Sequence, residues 1–266
     1  MRPTVRLVAL IASAAVTAGG LAAGASAATR FQPRTAGVLT VGTELPDPPF
    51  FIANKLSDIK GGYEYDMVLQ VAKRLGFAKS QVKFVTFPFN GLVTGAPCPC
   101  DFDVNGVSIF PDRRKVVDFS YPYYTVNQGV LVNKGTTVRT SAQARGLQWG
   151  AAKNSSGLFY LQNTLKPTKP SRIYPSTVAL SQALAAHQID AVLTDVPIVL
   201  DLASKQKAFR VVGQFPTDEK YGAVLKKGSP NTAVLSRVLR QLDRQGYFKA
   251  LARKYFPEQV KIPVIR

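Results

Sequence analysis

The strip from Asp101 to Tyr124 gathers groups that together could hold a carboxylate. Phe102 and Val104 read as a short buried strand. Small polar residues follow, Asn105, Gly106 and Ser108, and Pro111 then opens a helix that carries Arg113. Arginine grips a carboxylate through two parallel hydrogen bonds, and free N–H groups at a strand end or helix start add to that grip. Pro111 suits a first helical position, where a missing N–H costs nothing. On spacing alone the alternative is an ordinary strand–helix joint with a solvated arginine.

The elements that would position these groups alternate between strand and helix patterns. Residues 38–43 read as a strand from their β-branched content, and the proline-rich run 44–50 as a rigid loop after it. Tyr63, Met67, Val71 and Leu75 recur at helical spacing between Gly62 and Gly76, with Tyr63 and Met67 expected in the core. Residues 82–87, 129–132 and 173–174 read as further strands. Residues 177–186 and the stripe Val234, Leu235, Val238, Leu239, Leu242 read as helices. Ser155 and Ser156 are good helix caps, and they also place a hydroxyl and free N–H groups where an anion can dock.

The chain has 266 residues and a formal net charge of +18. The excess is scattered (Arg30, Lys73, Lys79, Arg145, Lys166, Lys226, Arg253) rather than gathered into a stripe with stacking aromatics. Nucleic acid is therefore not an expected partner. Diffuse positive charge suits solubility and weak attraction to anionic surfaces.

Arg2 and Arg6 precede an apolar run at 7–12 and a small-residue run ending Ala25-Ser26-Ala27. That is the layout of a cleaved signal peptide over residues 1–27. No cysteine sits near the cleavage point, so a lipid anchor is not expected. No other stretch is long and apolar enough to span a bilayer. The mature protein is expected outside the cytoplasm, secreted or periplasmic. Cys98 and Cys100 are the only cysteines and His187 the only histidine, too few for a four-ligand zinc site. In an oxidising compartment a disulfide stiffening the loop before Asp101 is expected. No metal or cofactor is expected.

The strip 101–124 resembles the pattern D-x-x-x-x-G-x-S/T-I-T-x-x-R-x-x-x-x-x-F-S-x-P-Y of family 3 extracellular solute-binding proteins, the polar-amino-acid receptors of ABC importers. The resemblance implies that Arg113 holds the ligand's α-carboxylate with help from Ser108, Asn105 and Gly106. Phe110 stands where threonine is usual. Residues 42–50 resemble the family's G-x-D-x-x-Y/F-x-P-F. Gly42, Pro49 and Phe50 match, Glu44 replaces the aspartate, and Asp47 stands where an aromatic often packs. Glu44 would meet the far end of the ligand, and the two acids hint at a cationic or amide side chain. Phe89 corresponds to an aromatic that stacks on the ligand. Residues 153–157 correspond to a Gly-Ser/Thr turn facing the carboxylate, which would involve Ser155 and Ser156, with Asn154 where glycine is usual. Residues 188–195 resemble G-x-x-D-A-x-x-x-D, whose second aspartate binds the α-ammonium, here Asp195.

The implied fold is α/β: a type II periplasmic-binding-protein fold, two lobes joined by two hinge strands. Residues 38–124 with 222–256 would form lobe 1, residues 125–218 lobe 2, and residues 257–266 a tail. The implied protein is a monomer that closes on a polar amino acid and delivers it to an ABC permease. The alternatives are a periplasmic enzyme of the same fold, similar to cyclohexadienyl dehydratases, or a ligand sensor.

Overall fold

Two five-stranded mixed sheets organise residues 30–266, which are the residues described by the computed structural model. The expected signal peptide lies outside them. The first part of the chain contains β1 (Leu39–Thr43), α1 (Tyr63–Leu75), β2 (Val82–Thr86), α2 (Phe89–Val93), β3 (Phe102–Asp103), α3 (Pro111–Val116) and β4 (Val117–Phe119). The middle contains β5 (Tyr124–Asn133), α4 (Ser141–Arg145), β6 (Trp149–Ala152), α5 (Ser156–Tyr160), β7 (Arg172–Tyr174), α6 (Thr177–Ala185), β8 (Ala191–Asp195), α7 (Val196–Lys205) and β9 (Phe209–Tyr221). The chain ends with β10 (Val224–Lys226), α8 (Asn231–Arg244) and α9 (Tyr247–Tyr255).

The first sheet has the order β2-β1-β3-β10-β4, and the second β7-β6-β8-β5-β9. β1 runs parallel to β2 and β3, and β6 parallel to β7 and β8. Parallel strands need helices on both faces, so their sequences are apolar without alternation. β1 accordingly is buried along its whole length. In the second sheet Val130 and Val132 pack with Trp149 and Phe215 on one face, while Leu131 packs with Leu180 and Leu184 on the other. α1 ends on Gly76, whose φ of +89° is a left-handed helix cap that glycine adopts without strain. No described helix is long and apolar enough to cross a membrane.

β5 and β9 pair from Asn133↔Phe209 down to Tyr124↔Tyr221, with register shifts between Val126 and Gln128 and between Val130 and Leu131. Their far ends reach the first sheet: Tyr123 N–H donates to Tyr221 O and Ser120 N–H to Ala223 O. β9 runs from Phe209 to Tyr221, and Gly222 and Ala223 separate it from β10.

The last residues turn back onto the second sheet. Gln214 N–H donates to Pro263 O at 2.8 Å, Ile265 N–H to Gln214 O at 2.9 Å, and Ser141 N–H to Arg266 O at 2.7 Å. Ile265 is buried beside Trp149 and Phe215. This segment is a third link from α9 to the second sheet. Ile265→Ala is expected to cost about 2 kcal/mol. In a calorimetric scan that would lower the melting temperature by roughly 4–8 °C. An unchanged melt would mean that the strap carries no stability.

Candidate functional site

A cavity of about 270 Å3 lies between the two sheets. It sits at the carboxyl ends of parallel strands, where open α/β sheets leave a crevice. Glu44 follows β1, Asn105 follows β3, Lys153 follows β6, Pro175 follows β7, and Asp195 ends β8; all five line it.

Arg113 enters from α3, where Pro111 occupies the first turn. The guanidinium donates from Nη1 to Ser108 O at 2.8 Å and from Nη2 to Asn154 O at 2.8 Å. The second bond crosses from one lobe to the other. The guanidinium also lies 5.5 Å from the Phe89 ring and 4.9 Å from the Phe110 ring. Phe110 in turn meets Phe159 of the other lobe at 5.4 Å. Burial pushes the Arg113 pKa down to about 10 although Glu219 and Asp195 oppose the shift. It remains a cation at neutral pH.

Asp195 stands at the N-cap position of α7, but its side chain turns instead to accept hydrogen bonds from the Tyr221 hydroxyl, from Gln128 Nε2 and, at 3.4 Å, from the Ser156 hydroxyl. Gln128 Nε2 also donates to Glu219 Oε1 at 3.1 Å. Burial, with Glu219 next, pushes the Asp195 carboxyl up to about 7, while Tyr221, Gln128 and Arg113 pull it down. Asp47 also faces the cavity. Its Oδ2 is shut off from solvent with no hydrogen-bond partner among the described residues. Burial, then Glu64 and Glu44, raise its pKa well above the usual carboxylate range. Asn105 Nδ2 is likewise buried without a partner. Unmatched buried donors and acceptors at a cavity wall are groups that a polar molecule could satisfy.

Of the residues expected from sequence, Glu44, Phe89, Asn105, Gly106, Arg113, Ser155, Ser156 and Asp195 all line this cavity. Ser108 does not. Its hydroxyl donates to the buried Glu219 Oε2 at 2.6 Å, so it braces Arg113 through its carbonyl instead of facing the cavity. Glu44 Oε2 accepts the Phe89 N–H at 2.7 Å and so ties the loop after β1 to the start of α2. Ser155 caps α5 by accepting the Leu158 N–H at 3.1 Å. Asn154 has a φ of +60°, which explains why glycine suits this turn; asparagine is among the few other residues that visit it readily. Its side chain donates to Asn90 Oδ1 across the cleft at 3.0 Å.

Asn90, Tyr221 and Gln128 were not expected at the site. Gln128, Glu219 and Tyr221 come from the paired hinge strands. Cys98 and Cys100 form a disulfide. They lie with Asp103 within 4.8 Å, but sulfurs bonded to each other offer no thiolate to a metal.

Residues 39–258 match the family described as bacterial extracellular solute-binding proteins, family 3. The chain is 27% identical over 229 residues to the L-cystine-binding protein TcyJ of Escherichia coli K12, covering 84% of each chain. It superposes on an ancestral arginine-binding protein bound to arginine with a TM-score of 0.71 and 26% identity, covering 83% of this chain and 98% of that one. It superposes also on the ancestral amino acid-binding protein AncCDT-1, a precursor of cyclohexadienyl dehydratase, with a TM-score of 0.69, 27% identity and coverage of 83% and 95%. The two lobes, the cavity at their strand ends and a family match over most of the length agree: this chain belongs to the family 3 bacterial extracellular solute-binding proteins.

Proposed function

We propose that this protein captures a polar amino acid carrying a second cationic group and presents it, in the closed form, to an ABC permease outside the cytoplasm. One observation carries the reading: a cation from one lobe, Arg113, and a carboxylate from the other, Asp195, line the same cavity. A zwitterion would set its carboxylate on Arg113 and its α-ammonium on Asp195. Bridging both lobes, it favours closure by its differential affinity for the closed state. Asn105, Gly106, Ser155 and Ser156 would complete the polar grip, and Phe89 would pack on the ligand.

The acceptors left over support the second cation. Once the α-groups are paired with Arg113 and Asp195, the carboxyl groups of Glu44 and Asp47 still line the cavity, and Asp47 Oδ2 has no hydrogen-bond partner among the described residues, so both can accept from a further N–H donor of the ligand. Arginine, named for one of the relatives, carries a second cationic group beyond the α-ammonium; cystine, named for another, carries a second ammonium accompanied by its own carboxylate.

The test is a thermal-shift panel on protein unfolded and refolded to strip bound ligand. A ligand at 1,000 times its dissociation constant adds about 4 kcal/mol, or roughly 8–16 °C for a chain of this size. Arginine, lysine, ornithine or cystine is expected to give such a shift. A response to neutral amino acids alone would overturn the second cation. A response to prephenate alone, with turnover, would replace the receptor by an enzyme.

A further inference from the structure

We propose that Cys98 and Cys100 form a reversible dithiol–disulfide couple whose proton is handled by the buried carboxyl of Asp103. None of the three lines the cavity, so this is a separate site. The chain's only two cysteines are joined to each other. Asp103 ends β3 fully buried, and neither of its carboxyl oxygens has a hydrogen-bond partner among the described residues. A carboxyl oxygen and the two sulfurs lie within 4.8 Å of one another. Gly42 of β1 makes the room: a Cβ there would fall 2.2 Å from Asp103 Oδ2 and 3.0 Å from Cys98 Sγ.

A buried polar group with no partner is costly and calls for an explanation. Disulfide sulfurs carry no proton, so they cannot donate to the oxygens of this carboxyl. Two thiols can, because each brings an S–H donor. Reduction therefore completes the hydrogen bonding of Asp103 and favours the dithiol relative to the same loop without the acid. Burial holds the carboxyl protonated well above its usual range, and the facing acids Glu64 and Glu44 act in the same direction.

The exchange would run as follows with a small dithiol as reductant. Its thiolate attacks one sulfur of the pair, the S–S bond breaks, and a mixed disulfide forms. The departing sulfur keeps the electron pair and takes the proton of Asp103. The reductant's second thiolate then attacks the mixed disulfide, releasing the oxidised reductant as a cyclic disulfide and the second protein sulfur. That sulfur is protonated from solvent, and Asp103 regains the proton that the reductant gave up. Two electrons and two protons pass to the protein. Pro99 is exposed and Cys98 half-buried, so a small reagent can reach the pair.

The experiment is reduction of the folded chain by dithiothreitol between pH 5 and 8.5, followed by counting free thiols. Rates are divided by the reagent's thiolate fraction. The corrected rate is expected to fall by about tenfold or more as the carboxyl loses its proton. Asp103→Asn is expected to lower the rate at low pH to that plateau and flatten the profile. It should also move the equilibrium with dithiothreitol toward the disulfide by about tenfold, or about 30 mV. A merely structural aspartate would change the melting temperature and leave the profile alone. A flat profile in the unaltered protein, or a pair that dithiothreitol cannot open while the chain stays folded, overturns the proposal. The unaltered profile decides the matter even if Asp103→Asn does not fold.

Discussion

Arg113→Ala is expected to weaken ligand binding by about two to three decades or more. The proposed partner is a carboxylate held in the cavity between the lobes. Removing the cation would leave that carboxylate buried and unpaired, at a cost of roughly 3–5 kcal/mol. The structure adds a second reason. Arg113 joins the lobes through Asn154 O and lies against Phe89 and Phe110, so its loss also removes a bond that spans the lobes and the packing that orients it. Arg113→Lys should recover little of the loss, because an ammonium cannot reproduce the fork that reaches Ser108 O and Asn154 O together. Calorimetry with the ligand identified by thermal shift measures both variants. A loss of tenfold or less for Arg113→Ala, in a protein that folds normally, would take the carboxylate away from Arg113. Near-complete recovery with lysine would mean that charge alone, without the fork, is what the site needs.

What could be read from sequence was what local chemistry dictates. The stripe Tyr63, Met67, Val71 and Leu75 needs a helix, and α1 occupies Tyr63–Leu75. Pro111 before Arg113 needs a helix start, and α3 begins there. Most of the candidate site was legible for the same reason, since Glu44, Asn105 and Asp195 each sit at or just after the end of a strand. The unread part depends on which strands pair and in what register. Gln128 reaches Glu219 across 91 residues of sequence, and Ser108 reaches Glu219 across 111. No periodicity encodes such a meeting. Ser108 therefore looked like a ligand group when its hydroxyl was already needed by a buried carboxylate. The tail escaped for another reason. Pro263-Val264-Ile265 is too short to carry a pattern, and its docking depends on the shallow surface beside Gly213, where a Cβ would meet Ile265 at 2.5 Å.

Acidification from pH 7.5 to 5 is expected to stabilise the ligand-stripped protein by on the order of 3 kcal/mol. The cause lies in two carboxyl groups whose folded pKa values are raised. Burial pushes Glu64 from 4.5 up to about 7, although it accepts from the Tyr123 hydroxyl and from Gly106 N–H at 3.0 Å. Burial and then Glu219 push Asp195 from 3.8 up to about 7. Between about pH 4 and 7 the folded chain holds protons that the unfolded chain has lost. Stability therefore falls as pH rises through that window, and the contribution is fully present below the unfolded values. Asp47 and Asp103 are raised by burial too and act in the same direction. This is the reverse of acid denaturation driven by ion-paired carboxylates. Urea midpoints across the range test it, and a midpoint that is flat or falls on acidification would contradict the burial of these groups as charge-bearing acids. The same physics reaches the proposed ligand. An ammonium set against Asp195 favours its charged form, so binding near pH 7 should release a proton. The calorimetric enthalpy would then depend on the ionisation enthalpy of the buffer, and Asp195→Asn should reduce that dependence where it leaves binding measurable. A buffer-independent enthalpy in the unaltered protein would place the ligand's cation elsewhere in the cavity.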